Sequence, residues 1–152
     1  METINIFRQR IQNLVDRGVF SGCEESVDRS GKMVMRFHWL LGREFLLEFD
    51  AKRQLITAKN MLPAIKYRSP IDNALRKFIA GHELPEHRRI DHDKSTLSYT
   101  NRKQSVSLVM RVYDDHLLYG IGALLNIINE IFKQIGLCHT HYLHQQLGVP
   151  EE

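Results

Sequence analysis

Apolar residues recur at Ile4, Phe7, Ile11, Leu14 and Val15, the spacing of one helical face, so residues 3–17 are predicted to form an amphipathic helix. Thr3 is its expected cap. Gly18 is its expected stop, since glycine readily takes the left-handed conformation that ends helices. The period then drops to two. Met33, Met35, Phe37, Trp39 and Leu41 alternate with Lys32, Val34, Arg36 and His38, as on a strand with one buried face. A weaker strand over residues 20–27 and a turn at residues 28–31, with Gly31 at positive φ, precede it. Gly42 and Arg43 reverse the chain into residues 44–49, where Phe45, Leu47 and Phe49 alternate with Glu44, Leu46 and Glu48. After a turn at residues 50–53, residues 54–60 supply a fourth, less regular strand of the meander.

Residues 62–68, with Pro63, read as a crossover loop. Ser69, Pro70 and Asp72 then form a helix start: a hydroxyl cap, proline at the first helical position and an acid in a capping-box-like position. Ile71, Ala74, Leu75, Phe78 and Ile79 share one face of that helix, and Gly81 ends it. Residues 82–95 are polar, lack either period and read as an exposed, mobile loop. A hairpin follows, with arms at residues 96–100 and 105–113 and a turn at residues 101–103. Leu117, Ile121, Leu124, Leu125, Ile128, Phe132 and Ile135 mark a long helix with Gly136 as its stop. Gly120 and Gly122 either admit a close backbone or show that the helix starts later. A short tail helix over residues 139–147 ends at Gly148. The sum is one α+β domain over residues 1–152, an antiparallel sheet of meander plus hairpin packed by three helices, in the order α-β-β-β(-β)-α-β-β-α with a short C-terminal helix.

A chain of 152 residues is long enough for a core without staples, since folding at that length buries about 68–70% of the unfolded surface. Cys23 and Cys138 are too few and too far apart for a disulfide framework and read as reduced thiols. Charged residues interrupt the first eighteen positions, unlike a signal peptide. The nearly uncharged run at residues 117–129 falls short of the roughly 20 residues a bilayer span needs. A soluble, cytoplasmic protein with no membrane partner is therefore expected. The net charge of +3 and the pI of about 9.0 permit anionic partners. Lysine and arginine are nonetheless spread along the chain, and the densest basic stretch, residues 82–94, also carries Glu83, Glu86, Asp91 and Asp93.

Candidate chemistry is sparse. On a continuous helix Cys138, His141 and His144 would stand three apart, with donor types suited to zinc. They are the candidate ligands of a metal-dependent hydrolase. No second pair of ligands accompanies them, and exposed histidines on a terminal helix are the plainer reading. His82, Glu83, Glu86, His87, Asp91, His92 and Asp93 are groups capable of acid–base work, but they sit in a polar loop without the apolar surroundings that shift pKa values. The sequence contains no GxSxG elbow and no GxGxxG or GxxxxGK[ST] loop, and no cofactor is expected. Arg36, Lys59, Arg102, Lys103 and Arg111 are the candidate contacts of a nucleic-acid-binding sheet face, although outward strand positions are commonly basic without such a role.

The order helix, three or four meander strands, helix, two strands and helix, over residues 3–135, resembles the type III secretion chaperone-like fold, also seen in bacterial sensory-transduction-regulator domains. That resemblance implies a compact protomer, commonly a homodimer, that binds an extended or amphipathic segment of another protein and catalyses nothing. A protein-binding or regulatory module, whose partner is a segment of another protein or a second copy, is the leading expectation. A nucleic-acid-binding protein comes next. The location expected for either is an uncovered sheet face or edge, or the loop at residues 82–95.

Overall fold

The computed structural model describes residues 2–81 and 83–151. Among them the chain runs α1 (Glu2–Asp16), β1 (Ser21–Val27), β2 (Met33–His38), β3 (Glu44–Asp50), β4 (Leu55–Leu62), α2 (Pro70–Ile79), β5 (Ser95–Arg102), β6 (Ser105–Val112), α3 (Leu117–Cys138) and α4 (Thr140–Gln146). All strand pairs are antiparallel, and the sheet order is β1-β2-β3-β4-β6-β5. This is the predicted α+β arrangement.

The period of two sets the register. Met33, Met35 and Phe37 lie opposite Phe49, Leu47 and Phe45, and all six are buried. A slip by one residue would turn this apolar set out to water, so the pairing is strongly specified. Val106, Leu108, Met110 and Val112 of β6 continue the same layer. α1 covers it through Phe7, Ile11 and Leu14, and the Phe7 ring stacks on Phe49 at 4.9 Å. Each fully buried phenylalanine contributes about 2 kcal/mol or more from burial. α3 lies beside α1, with Ile121, Leu124, Ile128, Ile131 and Ile135 buried.

Several local expectations are corrected. Thr3 lies inside α1, which starts at Glu2. β2 ends at His38, so Trp39 and Leu41 do not continue its inward row. Trp39 packs edge-on against Phe20 and Phe45, and Leu41, in a 3-10 turn at φ 56°, is 52% exposed. β4 extends to Leu62 through an irregularity at Asn60 (φ 52°), beyond which Met61 and Leu62 return to the core.

The turn between β5 and β6 is Lys103-Gln104, with φ of 52° and 64°, because the strands stay paired as far as Arg102 and Ser105. Gly136 does not stop α3, which runs on to Cys138. The helix also passes the end of the uncharged run. At 22 residues it is long and apolar enough to cross a bilayer, yet ten of its residues are buried in this core, the setting in which a helix is apolar nearly all round.

The segment after α2 is mostly exposed, as its polar sequence predicts, but it is anchored to the fold at three points. Leu84 is buried, Arg88 meets Glu130 of α3 at 3.6 Å, and the Asp91 amide donates to the Tyr119 hydroxyl at 2.8 Å. His82 of the same segment lies outside the described residues.

Candidate functional site

α1, α2 and α3 cover one face of the sheet, and the other face is open. Strand alternation fixes what the open face carries. Arg36 of β2, Lys59 of β4, Arg102 of β5 and Arg111 of β6 project from it, each in an exposed position, and Lys103 sits in the adjoining turn. The predicted basic residues therefore share a face, but not as a bare cationic field. Arg36 Nε lies 3.5 Å from Glu44 Oε1, and Lys59 Nζ lies 3.3 Å from Glu48 Oε1. Glu48 itself is only 8% exposed. No strand residue on this face is Phe, Tyr or Trp, so the stacking platform that single-stranded nucleic acid uses is missing from it.

Part of the face is concave. A groove of about 410 Å³ brings Lys59 and Arg102 together with Lys32, Asp28 and Glu48 and with the hydroxyl residues Thr57, Thr100, Ser105 and Ser107. Arg36, Lys103 and Arg111 do not line it. Asp28 is committed to its own turn, its Oδ1 accepting from the Ser30 amide at 2.9 Å, the Ser30 hydroxyl at 2.7 Å and the Lys32 amide at 2.9 Å. These bonds, the Ser30 hydroxyl first, hold its pKa below the usual aspartate value. The sequence reading missed Lys32 and Glu48, because which outward positions converge depends on how the sheet curves.

The two sheet edges differ. β5 lies beside α2, and of its residues only Ser98 and Arg102 are exposed. β1 is bonded to β2 on one side and carries a single half-buried residue, Cys23; the other six are exposed, Val27 at 68%. On the helix side Arg8 of α1 grips Glu25 with two bonds, Nε to Oε1 at 2.7 Å and Nη2 to Oε2 at 3.0 Å. On the open side Glu24 lies opposite Arg36, which turns to Glu44 instead, and Glu24 has no ion-pair partner among the described residues. Gly22, at φ 60°, sits within a register irregularity between Ser21 and Glu24. Four regularly paired residues, Glu24 to Val27, remain as a usable edge. Burial and the nearby Glu25 charge push the Cys23 thiol up, away from the reactive thiolate.

The most heavily bonded ionisable group is Asp72 in the first turn of α2, with no exposed surface. Its Oδ1 accepts from Tyr99 at 2.8 Å and Asn101 at 3.0 Å, and its Oδ2 from the Arg68 amide at 2.9 Å and Arg76 Nε at 3.2 Å. Burial works to raise its pKa; the bonds from Asn101, the Arg68 amide, Tyr99 and Arg76 outweigh it and hold the carboxyl below its usual value. Both oxygens are occupied and shut off from water, so this cluster fastens α2 to β5 and offers no free base. Tyr99 and Asn101 stand at inward positions of β5, which runs through the residues expected to turn.

Cys138, His141 and His144 do not come together as one helical face. The helix on which their spacing relied breaks at His139 (φ −133°, ψ 49°), leaving Cys138 at the end of α3 and both histidines on α4. Cys138 Sγ accepts from Gln134 at 3.3 Å, and His144 Nδ1 lies 2.7 Å from the Val149 carbonyl oxygen. Among the described residues no three His, Cys, Asp or Glu side chains are grouped to hold a metal ion. Among the described residues between α2 and β5, no hydrogen bond or ion pair joins a carboxylate to a histidine, and Asp91 Oδ1 accepts from the Asp93 amide in a local turn. No protein-family model, curated protein or solved structure matches the chain.

Proposed function

We propose that this chain is a non-enzymatic protein-binding module that takes an extended segment of a partner protein as an added strand along β1. The observation that carries this reading is the near-complete exposure of β1, whose outer backbone groups face water beside Val27 at 68% exposure. Such an edge is a template for main-chain pairing, and side chains on alternate positions select the sequence. On the open side the ladder already alternates in charge, Arg36 then Glu24, so the next position outward favours lysine or arginine. On the other side Val27 favours an apolar contact. A second copy of the chain fits this edge poorly. Two-fold antiparallel pairing centred on Glu24 sets that carboxylate against its own copy, and pairing centred between Glu24 and Glu25 sets the two glutamates against each other; like charges directly opposite are unfavourable. The ring-free open face, on which Arg36 and Lys59 are each already paired with a glutamate, argues against nucleic acid as the principal ligand.

Selection from a displayed library of random short peptides tests the reading. The protein is expected to enrich sequences that alternate apolar with basic residues, Glu24→Lys to shift the preference to Asp or Glu, and Val27→Asp to abolish enrichment. An absence of enrichment, or an unchanged preference in Glu24→Lys, sinks it. Sedimentation that gave a dimer lost in Val27→Asp would make the occupant a second copy instead.

A further inference from the structure

The groove on the open face is a separate feature, on the part of the sheet where β4 and β6 meet. Of its two carboxylates, Glu48 is engaged by Lys59 at 3.3 Å, and Asp28 takes three donors of its own turn, all on Oδ1. Its cations are not matched in the same way. Lys32 acts on Asp28 only as a more distant charge, and neither Lys32 nor Arg102 makes a salt bridge among the described residues. Between them the walls carry hydroxyls, and Val109 is the one apolar side chain in the lining. A volume of about 410 Å³ lies at the small end of ligand sites, about 300–1,000 Å³. Such sites are usually apolar with a few polar anchors, and this one reverses the proportion, which selects a ligand that is itself polar over most of its surface.

We infer that the groove binds a phosphomonoester of a hydroxyl-rich small molecule, a sugar phosphate in class. Arg102 gives the phosphate a planar fork of charge-assisted hydrogen bonds, and Lys32, four strand spacings away on the opposite wall of the groove, adds a point charge at longer range. Glu48, held in place by Lys59, accepts from a ligand hydroxyl, and Thr100 and Ser105 complete the polyol contacts. The irregularity at Asn60, whose amide donates to Ser107 Oγ at 2.8 Å, shapes the wall of the groove, a setting where strand irregularities commonly re-aim side chains.

The test is an amide NMR titration of the full chain at low salt with ribose 5-phosphate, ribose, inorganic phosphate, and an RNA oligonucleotide with and without a 5′ phosphate. Ribose 5-phosphate is expected to shift the amides of Lys32, Thr57, Thr100 and Ser107 and to saturate at or below about 1 mM. Ribose is expected to shift none of them, and inorganic phosphate to bind at least about tenfold more weakly. Arg102→Gln is expected to weaken the sugar phosphate about tenfold or more and Lys32→Gln by a smaller factor, with Lys52→Gln, on an exposed turn outside the groove, as the unchanged control. Retained amide dispersion shows that each variant is folded. No shifts at about 20 mM, shifts centred elsewhere, or equal affinity for inorganic phosphate overturn the proposal. So does RNA binding that ignores the 5′ phosphate, which would make the groove a contact for backbone phosphates.

Discussion

The hydroxyl of Tyr99 on β5 donates a 2.8 Å hydrogen bond to Oδ1 of Asp72, a wholly buried carboxylate in the first turn of α2. Twenty-seven positions separate the two residues, and the bond locks the helix start onto the last strand of the sheet. The guanidinium of Arg76 lies over the Tyr99 ring, 4.7 Å from its centroid, and bonds the same carboxylate. Burial, and then Asp72 itself, push the Tyr99 phenol up, so it remains a donor across the ordinary pH range. Because the pKa of Asp72 is lower folded than unfolded, its ionised form stabilises the fold above about pH 4, and that contribution is lost as pH falls through the depressed folded value. Asp72→Asn is expected to cost about 2–4 kcal/mol at pH 7. Urea midpoints give the gap between wild type and variant, which should narrow as pH is lowered from about 4 toward 2. A gap that does not change with pH would count against this role.

Two glycines two residues apart in α3, and so on opposite sides of the helix, are expected to respond oppositely to alanine. A Cβ at Gly120 would stand 2.5 Å from Cγ2 of Val112, a stiff β-branched side chain in the core layer of β6. The overpacking cost, about 1–3 kcal/mol, exceeds the roughly 1 kcal/mol of helix propensity that alanine gains, so Gly120→Ala destabilises. A Cβ at Gly122 meets nothing within 4 Å, and Gly122→Ala should stabilise by about 0.5–1 kcal/mol. Thermal melts of both variants check the signs, and Val112→Ala should relieve the first variant in the double mutant.

How much was legible follows from where the information sits. β2, β3 and β6 each bury one face, and a half-buried strand writes its period of two into the sequence. β1 buries no residue, so no constraint imposes alternation on it, and the strand most suited to binding had the weakest pattern. The start of α2 was readable because its signals are local: Ser69 Oγ accepts from the Asp72 amide, and Pro70 follows. That Asp72 is buried was not readable, because the groups that satisfy it include Tyr99 and Asn101 from a distant strand. Lys59 and Arg102 project from one face although Arg102 was expected in a turn, and their meeting with Lys32 depends on the shape of the whole sheet. The three-residue spacing of Cys138, His141 and His144 does not make one helical face, because the backbone breaks at His139, which spacing alone does not reveal.

The turn joining β5 and β6 holds a correctable strain. Lys103 and Gln104 both have positive φ, the geometry of a two-residue type I′ hairpin, yet neither is glycine, asparagine or aspartate. Replacing the pair with Asn-Gly is expected to raise stability by about 1 kcal/mol. The backbone bond from the Ile65 amide to the residue-104 carbonyl should survive, since glycine keeps that oxygen. Chemical denaturation measures the gain. A loss of stability would mean that the Lys103 or Gln104 side chain contributes more than its backbone strain costs.

α4 is held to the rest of the fold by a contact between distant parts of the chain. The Tyr142 hydroxyl donates to the Pro63 carbonyl at 2.6 Å, joining the last helix to the connection after β4 across 79 positions. Tyr142 is buried, and burial pushes its phenol up. The folded pKa therefore exceeds the unfolded value of about 10, and the protonated hydroxyl contributes stability fully below that pH and loses it as pH rises through the folded pKa. Tyr142→Phe keeps the ring and removes the donor, leaving the Pro63 carbonyl without this partner, and should cost about 1–2 kcal/mol near neutral pH. Since α4 has only seven residues and rests on Tyr142 and Leu147 for its buried contacts, the loss should be local before it is global. Hydrogen exchange is expected to show faster exchange of the α4 amides in the variant while β3 and β6 keep their protection. Uniform acceleration across the sheet would instead make Tyr142 part of the global core, and unchanged exchange in α4 would show that Leu147 alone holds the helix.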